Sequence, residues 1–81
     1  MEIPRLIDLD LLRTFIAIAH NGSFTAAAKA LHRTQSTISM QMQRLEDQLD
    51  CALLLRQREG AALTPDGAWL LPKARQLLAL N

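Results

Sequence analysis

Residues 23–49 contain two helical patterns that are separated by a break of only a few residues. Ser23 can cap a first helix, and Thr34 can cap a second helix that begins at Gln35 and runs to about Leu49. A break this short leaves room only for a tight corner between the two helices. The segment therefore predicts a helix-turn-helix, a motif whose second helix enters the major groove of DNA.

The second helix has a narrow apolar stripe whose members recur at i, i+4, i+7 and i+11. They are Ile38, Met42, Leu45 and Leu49. We expect this stripe to face a core, which leaves the other side of the helix for a ligand or for solvent.

Uncharged polar and thioether groups occupy the first half of the remaining surface of this helix. The candidates for base reading are Gln35, Ser36, Ser39 and Met40. A glutamine can pair bidentately with adenine, a serine can donate or accept, and a methionine can contact a thymine methyl group. The alternative is an ordinary amphipathic surface helix, and the spacing alone does not separate the two interpretations.

The charge balance is weak for a nucleic-acid binder, because the formal net charge is +1 and the isoelectric point is about 8.0. Helix N-termini and hydroxyl groups can nevertheless hold phosphates without a large positive field. Arg56 and Arg58 are either phosphate contacts or merely solvated. The candidates for phosphate and wing contacts are Ser23, Thr25, Arg33, Thr34, Thr37, Arg44, Arg56 and Arg58.

The segments on either side complete a small helical domain. Before the motif, a helix with a wide apolar face is predicted from Leu9, with Asp8 or Asp10 as its cap and Asn21-Gly22 as its end. After the motif, residues 53–56 and 62–64 predict two short strands around QREGA, where Gly60 can supply a positive φ. Leu53 to Leu55 could instead continue as helix, because pattern alone does not exclude it.

Thr64-Pro65-Asp66 predicts the start of a last helix that runs nearly to Asn81 and that Pro72 should bend. Apolar side chains lie on two of its sides, although a domain of 81 residues has only one core. We therefore expect one side to pack against the same helix of a second chain. The candidates for this dimer contact are Trp69, Leu70, Lys73, Leu77 and Leu80.

Enzyme motifs are missing from the sequence. His20, His32, Cys51 and the carboxylates near residue 46 show neither metal-ligand spacing nor a catalytic pattern, and Glu46 with Asp50 is typical of a solvated helix pair. We expect no catalysis, no metal and no cofactor. The charged start, MEIPRLIDLD, and the lack of a long apolar run predict a cytoplasmic protein without a membrane partner.

The order of motifs resembles the N-terminal DNA-binding domain of LysR-type bacterial transcriptional regulators over residues 9–78. The resemblance is carried by LLRTFIAIAHNGSFTAAAKAL, then HRTQSTISMQMQRLEDQL, then LLLRQREGAALTPDGAWLLPKAR. It implies a mainly α fold, namely a winged helix-turn-helix with a three-helix core and a short β-hairpin wing, followed by a long linker helix that pairs in a dimer. It also implies binding to an interrupted palindrome of double-stranded DNA.

Position by position, the resemblance implies base reading by Gln35, Ser36 and Met40, and phosphate contacts by Thr25, Thr34 and Ser39. Arg56 matches the family's wing arginine. The sequence departs from the family at Met40 and Glu59, where basic residues are common, at Asp50, where glycine usually ends the recognition helix, and at Leu54, where phenylalanine is frequent. The departures at Met40, Glu59 and Asp50 argue against a conventional contact of the wing with the minor groove, whereas Leu54 should change only core packing.

We expect residues 1–64 to form the DNA-binding domain and residues 65–81 to form the linker helix. The chain would then be a fragment of a longer regulator that lacks the C-terminal effector domain, and the full-length protein could form a higher oligomer. The alternative function is a helical protein-interaction module that dimerises through its last helix and does not bind DNA.

Overall fold

The computed structural model describes residues 3–4, 6–58 and 60–79. Across these residues it contains, in chain order, α1 (Leu9–Asn21), α2 (Phe24–Leu31), α3 (Gln35–Leu49), β1 (Leu54–Gln57), β2 (Gly60–Leu63) and α4 (Pro65–Ala79). The three-helix unit and the hairpin form the winged helix-turn-helix that the sequence predicted, and α4 follows it as the predicted last helix.

Short polar side chains begin the helices, as the sequence predicted. Ser23 accepts from the backbone N–H of Ala26 at 3.0 Å, Thr34 accepts from Thr37 N–H at 3.2 Å, and Thr64 accepts from Gly67 N–H at 3.0 Å. Of the two acids proposed for α1, Asp8 is the cap and Asp10 lies inside the helix. Each of these caps satisfies a backbone donor that would otherwise have no partner in the helix.

The core lies between α1, α3 and α4, with the small side chains of α2 closing one side. The predicted stripe of α3 is buried there, and Leu12, Phe15 and Ile18 of α1 are fully enclosed with it. Ala27 and Ala28 face the same core, and their small size lets α2 approach its neighbours closely. Burial of the stripe explains why the first half of the opposite face of α3 is free for a ligand.

Strands β1 and β2 form an antiparallel hairpin whose pairs run from Leu54↔Leu63 to Gln57↔Gly60. The hairpin prediction is confirmed, its strand bounds are shifted, and the helical alternative for residues 53–55 is wrong. Gly60 has φ 140, and a Cβ atom there would clash with the carbonyl oxygen of Gly22. Ala61 N–H donates to the same oxygen at 2.8 Å, so this wing is bound directly to the turn between α1 and α2.

Helix α4 contributes to the core of its own protomer. Leu70 is 0% exposed and packs there with Ala74, so its predicted direct contact with a second chain is wrong. Trp69 is 38% exposed, and Lys73 Nζ lies 4.0 Å from the centre of its ring. Leu77 is half-buried against the core, and Leu80 lies outside the described residues. None of the helices in the described ranges has the length and apolarity needed to cross a membrane.

Candidate nucleic-acid interface

The N-terminal half of α3 presents the predicted base-reading residues to solvent. Gln35 and Ser36 are exposed in its first turn, Met40 is 46% exposed one turn further, and Ser39 is half-buried beside them. None of these four side chains carries a charge, so a ligand can approach them without displacing a strongly hydrated ion. Their arrangement suits hydrogen bonds and apolar contacts with the edges of bases.

An open cleft of about 440 Å³ lies beside this surface, where the starts of α2 and α3 meet the wing. Its lining combines two hydroxyl groups, two arginines and the start of a helix with a positive dipole end. The lining residues are Ser23, Phe24, Thr25, Gln35, Arg56, Gln57, Arg58 and Gly60. This chemistry fits an anion such as a backbone phosphate.

Three contacts join the elements around this cleft. The hydroxyl of Thr25 donates to Gln35 Oε1 at 3.2 Å and so connects the starts of α2 and α3. The guanidinium of Arg56 lies 3.9 Å from the centre of the Phe24 ring and donates to Ser39 Oγ. Arg56 forms no ion pair with a carboxylate in the described ranges, so its positive charge remains available to an external anion.

Arg33 is placed differently from the phosphate contact that the sequence predicted. Its guanidinium donates to both carboxylate oxygens of Asp10, at 3.0 and 3.1 Å, and to Gln41 Oε1 at 3.0 Å. The hydrogen bond from Arg33 and its positive charge lower the pKa of Asp10, and the hydrogen bond to Asp10 and its negative charge raise the pKa of Arg33. Because the folded-state pKa of Asp10 is lowered, this pair stabilises the fold above the ordinary pKa of aspartate, about 3.9, and the stabilisation is lost as the pH falls below it.

Gln41 and Thr14 complete a network that the sequence did not reveal. Gln41 is 8% exposed on the inner side of α3; its Oε1 accepts from the Thr14 hydroxyl at 2.6 Å, and its Nε2 donates to Asp10 Oδ2 at 2.8 Å. We call Asp10, Thr14, Arg33 and Gln41 the α1–α3 polar network. Its partners are separated by 8 to 31 residues along the chain, which local periodicity does not detect.

Glu46 is a second functional side chain that the sequence pattern misassigned. It is not simply a solvated partner of Asp50, because its Oε2 accepts from the backbone N–H groups of Leu53 at 2.6 Å and Leu54 at 3.3 Å. These bonds connect α3 to the first residues of the wing. Glu46 therefore holds Leu53 and Leu54, at the start of the wing, in a fixed position relative to α3.

The remaining candidates lie at the edges of the site. Thr34 donates to the Thr37 hydroxyl at 2.9 Å, so both side chains belong to the capping turn of α3. Arg44 is exposed on α3, and Arg58 is exposed directly after β1. Glu59 lies outside the described residues.

Burial raises the pKa of the Cys51 thiol, and no metal-ligating cluster of His, Cys, Asp and Glu occurs within the described part of the chain.

The comparison with protein families matches residues 9–68 to the model described as a bacterial regulatory helix-turn-helix protein of the lysR family. The chain belongs to the LysR family. As a LysR-type helix-turn-helix domain, it is 48% identical to the HTH-type transcriptional regulator PecT of Dickeya dadantii (strain 3937) over 75 residues, which is 93% of this chain and 24% of PecT. It is 42% identical to the HTH-type transcriptional activator AllS of Klebsiella pneumoniae, over 90% of this chain and 27% of AllS.

Among solved structures, this LysR-type domain is similar to CbnR_DBD in its complex with DNA. The TM-score is 0.88 at 43% identity, and the match covers 91% of this chain and 85% of the CbnR_DBD chain. The domain thus shares the winged helix-turn-helix fold of a LysR-family DNA-binding domain. It spans about a quarter of the length of the curated relatives that it matches.

Proposed function

We propose that this domain binds double-stranded DNA in a sequence-specific way and that the N-terminal half of α3 enters the major groove. The proposal is carried by the juxtaposition of the exposed, uncharged Gln35, Ser36 and Met40 with the cleft that contains Arg56. Uncharged side chains that suit base edges beside an anion-binding cleft are what groove recognition requires. The similarity to CbnR_DBD bound to DNA supports the same function.

In this proposal the residues divide into two groups. Gln35, Ser36, Ser39 and Met40 contact bases, while a second set holds the backbone on both sides of the groove. That second set is Ser23, Thr25, Thr34, Thr37, Arg44, Arg56 and Arg58. Arg33 is not in it, because its guanidinium is already engaged by Asp10. The carboxylates of Asp47 and Asp50 lie at the other end of α3, which favours approach of DNA at the N-terminal end.

We further propose that residues 1–64 act as the DNA-binding unit and that residues 65–81 pair with a second copy. Trp69, Lys73, Leu77 and Leu80 are the residues we assign to this dimer. A pair of domains related by twofold symmetry would bind an interrupted palindrome, because each protomer then meets an equivalent half-site.

A whole regulator of this kind would act in the bacterial cytoplasm, where its DNA is, and would include an effector domain beyond this unit. The relatives' names describe transcriptional regulation, which supports a role without catalysis.

Selection of bound sequences from a random duplex pool tests this function. The enriched sequences should contain two related half-sites at fixed spacing.

Gln35→Ala should lose about 1–3 kcal/mol of discrimination at one base pair, because it removes a side chain that can pair bidentately with adenine. Binding is measured on duplexes that differ at that pair.

Gln48→Ala is the matched control, since Gln48 is an exposed glutamine near the opposite end of α3. It should leave the base preference unchanged. An equal loss by Gln35→Ala on every sequence would contradict base reading. A dimer that shows no salt-dependent binding to any duplex would favour a protein-interaction module instead.

A further inference from the structure

Gln41 lies where the reading helix meets the rest of the domain. It is on α3, and its amide contacts two residues of α1 and one residue of the turn before α3: Thr14, Asp10 and Arg33. Both atoms of the amide are used, since Oε1 accepts two hydrogen bonds and Nε2 donates one. The side chain is nine-tenths buried, so water does not readily replace these partners.

The α1–α3 polar network constrains α3 in a way that the apolar stripe does not. Burial of Ile38, Met42 and Leu45 stabilises packing, but the hydrophobic effect is not directional and tolerates small rotations about the helix axis. Hydrogen bonds require both distance and angle. No buried side-chain nitrogen or oxygen lacks a partner in the described residues, so a rotation that breaks this network leaves a buried amide unpaired.

A small rotation of α3 has large consequences at its outer surface. Because the outer radius of a helix is about 5–6 Å, a rotation of about 20° moves the tips of side chains such as Ser36 and Met40 by about 2 Å. A hydrogen bond to a base tolerates a change of only about 0.5 Å in distance. The rotation of α3 must therefore be fixed for these side chains to distinguish one base from another.

We infer that Gln41 is a positioning residue for sequence discrimination, because its hydrogen bonds to Asp10, Thr14 and Arg33 fix the rotation of α3. This inference rests on the proposed DNA-binding function. Gln41 is on the inner side of the helix and contacts no base. Its loss should reduce the preference for the correct sequence, whereas binding to unrelated DNA depends on side chains such as Arg56 and should persist.

The experiment compares Gln41→Met and Gln41→Glu with the unchanged domain. Methionine fills the same volume but cannot form the network, and glutamate places a second carboxylate next to Asp10. For each variant, Kd is measured for a duplex enriched from the random pool and for a scrambled duplex of equal length, at a temperature where circular dichroism shows that the variant is folded. We expect the Kd for the scrambled duplex divided by the Kd for the enriched duplex to fall by about tenfold. This effect is comparable to one mismatched base pair.

A reciprocal exchange provides the rescue. Asp10→Asn combined with Gln41→Glu swaps the carboxylate and the amide. Arg33 and Thr14 can then still donate to the side chain at position 41, and the amide at position 10 can donate to the carboxylate at position 41. This double variant should recover the discrimination that Gln41→Glu loses. Ile18→Val is the stability control, because it removes a buried methyl group of α1 outside the network and should leave the ratio unchanged.

Three outcomes would overturn the inference. If Gln41→Met or Gln41→Glu preferred the enriched duplex as strongly as the unchanged domain does, the network would not position the exposed face of α3. A folded double variant that still lacks discrimination would show the same. An unchanged domain that binds both duplexes equally would refute sequence-specific binding itself, and the role of Gln41 would fall with it.

Discussion

Helix α3 is held by different chemistry on the side that faces α1 and on the side that faces the wing. On the α1 side, Arg33 in the preceding turn donates to the carboxylate of Asp10, so an arginine and an acid neutralise each other. On the wing side, Glu46 accepts from the backbone of the wing, and Arg56 returns from that wing to the Phe24 ring and Ser39. The acid there is used by backbone donors, and Arg56 forms no ion pair within the described residues.

This difference explains how a chain with a formal net charge of +1 can bind an anionic surface. Arg33 and Arg56 count equally in the sequence, although only Arg56 lines the cleft. Neutralisation depends on whether a carboxylate is within reach in the folded domain. In the proposed function the two sides of α3 therefore differ: the Arg33 side positions the helix, and the Arg56 side provides charge for the ligand.

The largest effect is expected where Glu46 holds the wing. Glu46→Ala should lower the free energy of unfolding by about 1–3 kcal/mol, because the N–H groups of Leu53 and Leu54 lose their acceptor. Urea denaturation measures this change. Glu46→Gln should restore most of the stability, since its amide oxygen can accept the same hydrogen bonds.

Asp47→Ala is the matched control, because Asp47 is the neighbouring exposed acid and, among the described residues, its carboxylate accepts only from the Gln43 side chain on the helix surface. Its effect should stay within about 0.5 kcal/mol. If Glu46→Ala were no more destabilising than Asp47→Ala, strand pairing and apolar contacts would be enough to hold the wing. The contrast between the two sides of α3 would then disappear at the wing.

The second prediction compares the two arginines directly. Arg56→Ala should weaken binding to all duplexes by about tenfold and lower the slope of log K against log salt concentration by about one, because one phosphate contact is lost. Arg33→Ala should leave that slope unchanged while lowering the thermal midpoint of unfolding. Fluorescence anisotropy at several salt concentrations, together with thermal melts, separates these effects.

Equal salt slopes for the two variants would show that Arg33 and Arg56 do not differ in their contribution to phosphate binding. A smaller slope for Arg33→Ala would mean that Asp10 releases Arg33 to the phosphate when DNA binds. Either result would remove the division of α3 between a positioning side, which faces α1, and a charged side, which faces the wing.

Local sequence chemistry predicted the elements of this domain because each signal involves residues close together in the chain. The spacing of Ile38 and Met42 defined the inner side of α3, and Ser23, Thr34 and Thr64 cap helices by bonding three residues ahead. The exposure of Ser36 and Met40 follows from the same periodicity. These features need no knowledge of which helices pack together.

The misassigned residues have their main contacts across the fold. Arg33 meets Asp10 from 23 residues away, and Gln41 meets Thr14 from 27 residues away, so neither partner can be identified from the spacing of a single helix. Leu70 was correctly placed on an apolar side of α4, but only packing shows that this side faces its own protomer. Sequence patterns therefore identify which residues are polar or apolar more reliably than which partner each one contacts.

The smallest predicted effect is a change in the free energy of unfolding when the residues that end α2 and α3 are replaced by glycine. His32 and Asp50 both adopt the left-handed conformation, with φ 55 and φ 54, where glycine is the least strained residue. Asp50 additionally places a negative charge at the C-terminal end of α3, where the helix dipole is also negative. Asp50→Gly should therefore raise the free energy of unfolding by about 0.5–1 kcal/mol, and His32→Gly should raise it by less.

The two substitutions form an internal control, because the backbone strain that they relieve is nearly the same and only the charge differs. Urea denaturation at low and high salt measures both variants. The advantage of Asp50→Gly over His32→Gly should shrink at high salt, since ions screen the interaction of an exposed carboxylate with the helix end. An advantage that does not depend on salt would assign the effect to backbone strain, and the charge at this end of α3 would then have no part in its stability.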